Sequence, residues 1–100
     1  MKDLVVRPQA HEEMIDAGRY YQSKRANLGI QFLTEVENAF SIIAENPLAW
    51  PVLEDDIRKK VLQRFPFSIL YKEYSDHIAI IAVMHLRRAP GYWRDRLDDE

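Results

Sequence analysis

Phe67-Ser68-Ile69-Leu70-Tyr71-Lys72-Glu73-Tyr74-Ser75-Asp76-His77-Ile78-Ala79-Ile80-Ile81-Ala82-Val83-Met84-His85 is the stretch on which the fold turns. In residues 67–74 the side chains Phe67, Ile69 and Tyr71 recur at every second position, the period of a strand with one buried face. Residues 77–85 are the most apolar part of the chain. An apolar run of this kind predicts a strand placed centrally in the sheet. Tyr74-Ser75-Asp76-His77 between them is short and polar, so the two strands form a hairpin. The unbroken apolar run, residues 78–84, is far shorter than the roughly 20 residues of a membrane span.

Upstream, the basic and amphipathic residues 57–63 predict a third strand. Residues 47–56 read as a loop with apolar anchors, Trp50 tucked beneath it. Asn46-Pro47 ends a helix, because proline pushes the residue before it away from helical angles. That helix starts at Asn27, a good N-cap, and carries Phe32, Leu33, Val36, Phe40 and Ile43 as its apolar stripe, which places Phe40 in the core. An earlier helix opens at Pro8, whose missing N–H is tolerated in a first turn. It presents Ala10, Met14, Ala17 and Tyr21 on one face and fades over residues 23–27. Glu12 and Glu13 near its start complement the helix dipole. Leu4-Val5-Val6-Arg7 predicts a short strand, and residues 88–100 a short helix after Pro90.

The order is β-α-α-β-β-β, an α+β domain spanning residues 1–100. A helix hairpin packs on one face of a mostly antiparallel four-stranded sheet. The opposite face is expected to be partly solvated and to carry function.

Composition narrows the classes further. The chain has 100 residues, 47% of them hydrophobic and 30% charged, with a mean hydropathy of -0.39, the profile of a globular rather than disordered protein. Cysteine is absent, which excludes disulfide frameworks and thiol nucleophiles. The three histidines are scattered, no glycine-rich phosphate loop occurs, and neither metal nor cofactor is expected. The first residues lack a secretory leader's apolar core, so a cytoplasmic location is expected. The net charge of -2 conceals an asymmetry. Residues 1–56 hold ten acidic and five basic side chains, residues 57–96 three acidic and nine basic. The near-zero total argues against indiscriminate polyanion binding, while the basic second half offers a local surface for an acidic partner.

Tyr20-Tyr21, Gly29-x-x-Phe32-Leu33-x-x-Val36, Asn46-Pro47 with Trp50-Pro51, Arg64-Phe65-Pro66-Phe67-x-Ile69-x-Tyr71 and His85-x-Arg87-Arg88-x-Pro90-x-x-Trp93-x-x-Arg96 follow one another along the chain. In order and spacing this series resembles the RelE/ParE superfamily, the toxin halves of bacterial type II toxin–antitoxin pairs. The resemblance implies a cognate antitoxin as partner, self-association being left open, and a role in plasmid stabilisation. It also implies one of two activities: RelE-like members cleave mRNA in the ribosome, and ParE-like members inhibit DNA gyrase. A third alternative is a non-toxic module that only binds an antitoxin.

RNA cleavage through the 2′-hydroxyl needs a base, an acid and cations for the phosphorane charge. The candidates are His85 at the end of the apolar strand, Arg87, Arg88 and Arg64, with Tyr92 as an acid if its pKa were tuned from about 10. Binding of target or antitoxin is expected at Arg58, Arg64, Arg87, Arg88, Trp93 and Arg96. The resemblance also implies an arginine in the middle strand of a RelE-type ribonuclease. Ser68 stands at the matching position and cannot supply that charge. The isoelectric point near 5.9 sits poorly with binding to ribosomal RNA, where phosphate contacts dominate affinity. The Phe-Pro-Phe and His-x-Arg-Arg-x-Pro patterns are closer to ParE-like members.

Overall fold

Pro8 stands at the start of α1 (Pro8–Lys24) and limits the preceding strand β1 to Asp3–Val6. The computed structural model describes residues 1–99. After α1 come α2 (Leu28–Glu45), β2 (Val52–Glu54), β3 (Ile57–Val61), β4 (Phe67–Glu73), β5 (His77–His85) and a terminal 3-10 helix (Arg94–Asp99). One sheet has the order β1-β5-β4-β3-β2. β1 runs parallel to β5, and the other neighbours are antiparallel. The Tyr74–His77 turn closes the expected hairpin, with the Tyr74 N–H donating to the His77 carbonyl at 2.8 Å.

The sheet has five strands where the sequence reading expects four. Val52–Glu54, read as loop, pairs with β3 because Asp55 adopts a left-handed conformation (φ 48°) that lets the chain reverse at once. β3 in turn stops at Val61, two residues short of the expected end.

α1 and α2 cover one face of the sheet. Phe32 of α2 is fully buried, with its ring centroid 5.3 Å from Tyr21, 5.2 Å from Phe65 and 5.0 Å from Phe67. The helices approach so closely that a Cβ on Gly29 would collide with the Gly18 carbonyl. Asn27 does precede α2, but it sits at φ 71° and its side chain makes no cap. Gln22 of α1 takes over, its Oε1 accepting the Gly29 N–H at 3.0 Å. Phe40 is only partly buried, at the rim of the stripe beside Met1 and Leu4, and not in the deep core.

The opposite face of the sheet is not the open surface expected. A second cluster of Ile57, Leu70, Ala79, Ile81, Ala82 and Trp93 lies there, with Tyr92 and Leu97 packed on it. The segment after β5 folds back as a cover. Pro90 and Gly91 (φ 76°) make its turn, the Tyr92 N–H reaching the Ala89 carbonyl at 3.3 Å. Arg94 fastens the cover to β2 through two hydrogen bonds of 2.7 Å to Glu54. β4 is therefore buried on both faces from Phe67 to Tyr71. Among the described residues no helix is long and apolar enough to cross a membrane.

Candidate functional site at the end of β5

A bulge in β5 decides which way His85 points. Tyr71 pairs with Ile80 and Leu70 with Ala82, so Ile81 is an extra residue. Ile81 and Ala82 both enter the rear cluster, and the alternation slips by one. Ile78 and Ile80 face the helices before the bulge, and Val83 does so after it. His85, two residues further, therefore also lies on the helix side. Its ring meets that of its cross-strand partner Phe67 edge-on at 5.0 Å. It lines a cleft of about 400 Å³ with Glu13, Asp16, Tyr20, Tyr21 and Arg88.

The imidazole is half committed. The Arg87 backbone N–H donates to His85 Nδ1 at 3.0 Å, so a neutral ring carries its proton on Nε2. The Arg88 N–H returns to the His85 carbonyl at 3.1 Å, closing a turn that exposes Arg87 and Arg88. The Arg87 side chain has no partner among the described residues. The Arg88 guanidinium lies 3.8 Å over the Tyr92 ring and 4.0 Å from Glu13.

Glu13 organises the floor of this region. Its Oε1 accepts the Val83 N–H at 3.1 Å and Arg96 at 2.8 Å, and its Oε2 accepts Arg96 at 3.0 Å and the Tyr92 hydroxyl at 2.5 Å. Arg96 also donates to the Ile81 carbonyl at 3.0 Å. β1 ends opposite Ile80, leaving the edge of β5 beyond it without a neighbouring strand. The two side chains cap that edge. Burial and the adjacent Glu13 carboxylate push the Tyr92 phenol well above its ordinary range, the wrong direction for a general acid near neutral pH. The expectation that Glu13 serves the helix dipole gives way to this: no acidic residue sits in the first turn of α1.

The remaining sequence candidates lie elsewhere. Arg64 lines a different cleft and donates to Gln31 at 2.8 Å. Arg58 holds the 47–51 loop, donating to the Trp50 carbonyl at 2.7 Å. Trp93 is 1% exposed and presents no surface to a partner. Arg96 is engaged with Glu13, its side chain 11% exposed. His85 and Arg88 thus share the cleft with Arg87 on the turn beside it, while Arg64, Arg58, Trp93 and Arg96 do not line it. Ser68 is fully buried, and its hydroxyl finds no hydrogen-bond partner among the described residues. Among the described residues no cluster of three or more histidine or carboxylate side chains is arranged to hold a metal ion.

Sequence comparison with family models finds no match, and none is found among curated proteins. Solved structures do match. A chain of the chromosomal ParDE toxin–antitoxin system from P. aeruginosa superposes with a TM-score of 0.74 at 16% identity, covering 85% of this chain and 96% of that one. At this identity the likeness is one of fold alone.

Proposed function

We propose that the chain is the toxin of a toxin–antitoxin pair, that it acts by binding as ParE-like members do, and that a cognate antitoxin neutralises it. DNA gyrase is the target the resemblance implies. The observation that carries this reading is the dispersal of the groups a ribonuclease would need. His85 Nδ1 is tied to a backbone N–H, and the Tyr92 hydroxyl is held by Glu13. Arg64 lines another cleft, and buried Ser68 stands where the nuclease pattern requires arginine. His85 and Arg88 share a cleft, but no free acid and no middle-strand arginine stand beside them. An exposed Arg87-Arg88 turn beside a shallow cleft suits recognition of an acidic surface instead.

Two assays on the purified chain test this. Inhibition of gyrase supercoiling without mRNA cleavage in a translating extract is the expected result. Ribosome-dependent cleavage, abolished by removing His85, would replace binding with the nuclease reading, in which His85 Nε2 and Arg88 work from the same cleft.

A further inference from the structure

We infer that the target is engaged by the uncovered end of the sheet's rear face, an apolar patch of Val61, Pro66, Met84 and Leu86 rimmed by Lys59 and Arg87, which takes an apolar protein surface bordered by carboxylates. This rests on the binding-toxin reading and adds to it the surface that carries the affinity and the chemistry that surface selects.

Strand register places the patch. Val61 pairs with Ser68 and Ser68 with Met84, so these three side chains share one face across β3, β4 and β5. Met84 packs against the rear cluster, so that face is the one away from the helices. Lys59, Leu70 and Ala82 form the neighbouring row. The cover built on Trp93 reaches that row, where Leu70 and Ala82 are fully buried. It does not extend over the next row, where Val61 is 51% exposed. Ser68 is fully buried there, which leaves Val61 and Met84 as the surface of the row. The Leu86 N–H donates to the Pro66 carbonyl at 2.9 Å, so the ladder and its alternation continue past His85 and bring Leu86 to the same face. Leu86 is 50% exposed, and Pro66 opposite it is exposed too. With strands about 4.8 Å apart, the patch runs roughly 10 Å across the sheet.

The rim is cationic. Lys59 lies two residues before Val61 on the same face of β3, and Arg87 follows Leu86 in the turn. Neither side chain has a hydrogen bond, ion pair or ring contact among the described residues. Charges at a rim speed encounter and set orientation more than they supply affinity. Affinity comes from apolar anchors desolvated at the centre of an interface, and the patch sets such anchors directly beside Arg87. Unbranched Met84 can re-pack against an incoming surface. The patch carries no aromatic ring on which a base could stack, so its chemistry suits a protein and not a nucleic acid.

The test is inhibition of gyrase supercoiling by the purified chain, with affinity for the product of the adjacent reading frame measured alongside by calorimetry. The parent is compared with Val61→Glu/Leu86→Glu, with the milder Val61→Thr/Leu86→Ala, and with Lys59→Gln/Arg87→Gln. Ile30→Glu, at a 60% exposed position of α2 on the helix side of the sheet, is the control. Circular dichroism checks folding, and the milder pair decides the matter if the glutamates unfold the chain. The glutamate pair should raise the half-inhibitory concentration about a hundredfold, and the milder pair about tenfold, as loss of central anchors does. Removing the two cations should raise it about tenfold and flatten its salt dependence. The control should stay within about threefold, the range of a residue outside the interface. Parental inhibition by folded patch variants overturns the surface and leaves the toxin reading standing. Antitoxin affinity lost while inhibition persists assigns the patch to the antitoxin and overturns the inference. A parent that binds the antitoxin but leaves gyrase untouched overturns the inference together with the gyrase reading.

Discussion

Glu13 of α1 and Arg96 of the terminal helix face each other in a two-pronged pair, with hydrogen bonds of 2.8 and 3.0 Å between side chains 15% and 11% exposed. The pair joins the helix layer to the cover on the far side of the sheet, around the free end of β5. Glu13→Ala leaves Arg96, the Tyr92 hydroxyl and the Val83 N–H without their acceptor. The expected cost is about 3 kcal/mol, the lower end for breaking a largely buried pair from one side. Its exposed neighbour makes the control: Glu12→Ala should stay within about 0.5 kcal/mol. Urea denaturation followed by tryptophan fluorescence measures both. Equal midpoints for the two variants would mean that Trp93 packing and the Arg94–Glu54 pair hold the cover without Glu13.

Alkaline pH should loosen the same junction. Tyr92 is raised above the ordinary phenol range by burial and by Glu13. A group raised in the folded state contributes stability that is fully present below its unfolded pKa near 10 and is lost as pH rises towards the folded value. Stability should therefore decline from about pH 10 upward. Tyr92→Phe costs about 1 kcal/mol at neutral pH through the lost hydrogen bond, yet should flatten part of that decline. Some slope remains, because burial raises Tyr21 and Tyr71 too. Urea midpoints between pH 8 and 11 decide it: parallel curves for parent and variant would remove Tyr92 as the titrating group.

Core mutations should rank by depth and not by residue type. Phe32 is fully buried among three aromatic rings, and Phe32→Ala should cost about 3–5 kcal/mol. Phe40 lies at the rim, so Phe40→Ala should cost about half that or less, since part of the side chain is already in water. Chemical denaturation of both variants checks the order. A larger loss for Phe40 would place the rotation of α2 in error.

How far this was legible from the residues alone is clear from the two helices. The apolar stripes of α1 and α2 stand out because their spacing follows the helical period, and the Tyr74–His77 turn is marked by its polarity. What period alone misses is the use of residues on the stripe border. Glu13 lies three after Ala10 and four before Ala17, and Glu35 three after Phe32 and four before Ala39. Each sits where a carboxylate can turn towards the sheet, and each accepts backbone N–H groups from a distant segment. A border carboxylate was the available signal, and its partner is fixed only by tertiary contact. The Ile81 bulge carries no sequence mark at all, since seven apolar residues in a row, 78–84, hide a slip of one. The hidden rear face follows from Trp93, whose burial depends on a turn made by Pro90 and Gly91.

Recognition should depend more on Arg87 than on Arg88. The Arg87 side chain is exposed and has no partner among the described residues, whereas Arg88 lies against Tyr92 and Glu13. Arg87→Glu should leave the melting temperature unchanged and weaken toxicity or partner binding by about tenfold, the effect of reversing one charge at an interface. Arg88→Glu would bring a second carboxylate towards Glu13 and confound folding with binding, so Arg88→Gln is the cleaner companion. Growth arrest on induced expression, with affinity measured in parallel, reads the outcome. Parental behaviour in Arg87→Glu would make that arginine a solvated surface charge.

His85 separates binding from catalysis, provided the variant spares the turn. His85→Ala would remove both the Nδ1 acceptor for the Arg87 N–H and the contact with Phe67. His85→Asn keeps an oxygen near the position of Nδ1, so the turn retains its acceptor, while the ring contact with Phe67 and Nε2, the nitrogen free to exchange a proton with a substrate, are lost. A catalytic acid or base contributes about 10²–10⁴-fold in rate. A single recognition hydrogen bond contributes about 0.5–1.5 kcal/mol, or roughly tenfold in affinity. With the Tyr92 hydroxyl held by Glu13 and Ser68 in place of an arginine, the smaller effect is expected: growth arrest should persist in His85→Asn, with target affinity reduced by no more than about tenfold. A folded His85→Asn protein that has lost growth arrest, together with a parent that cleaves mRNA on the ribosome, would make His85 a catalytic residue and the chain a nuclease.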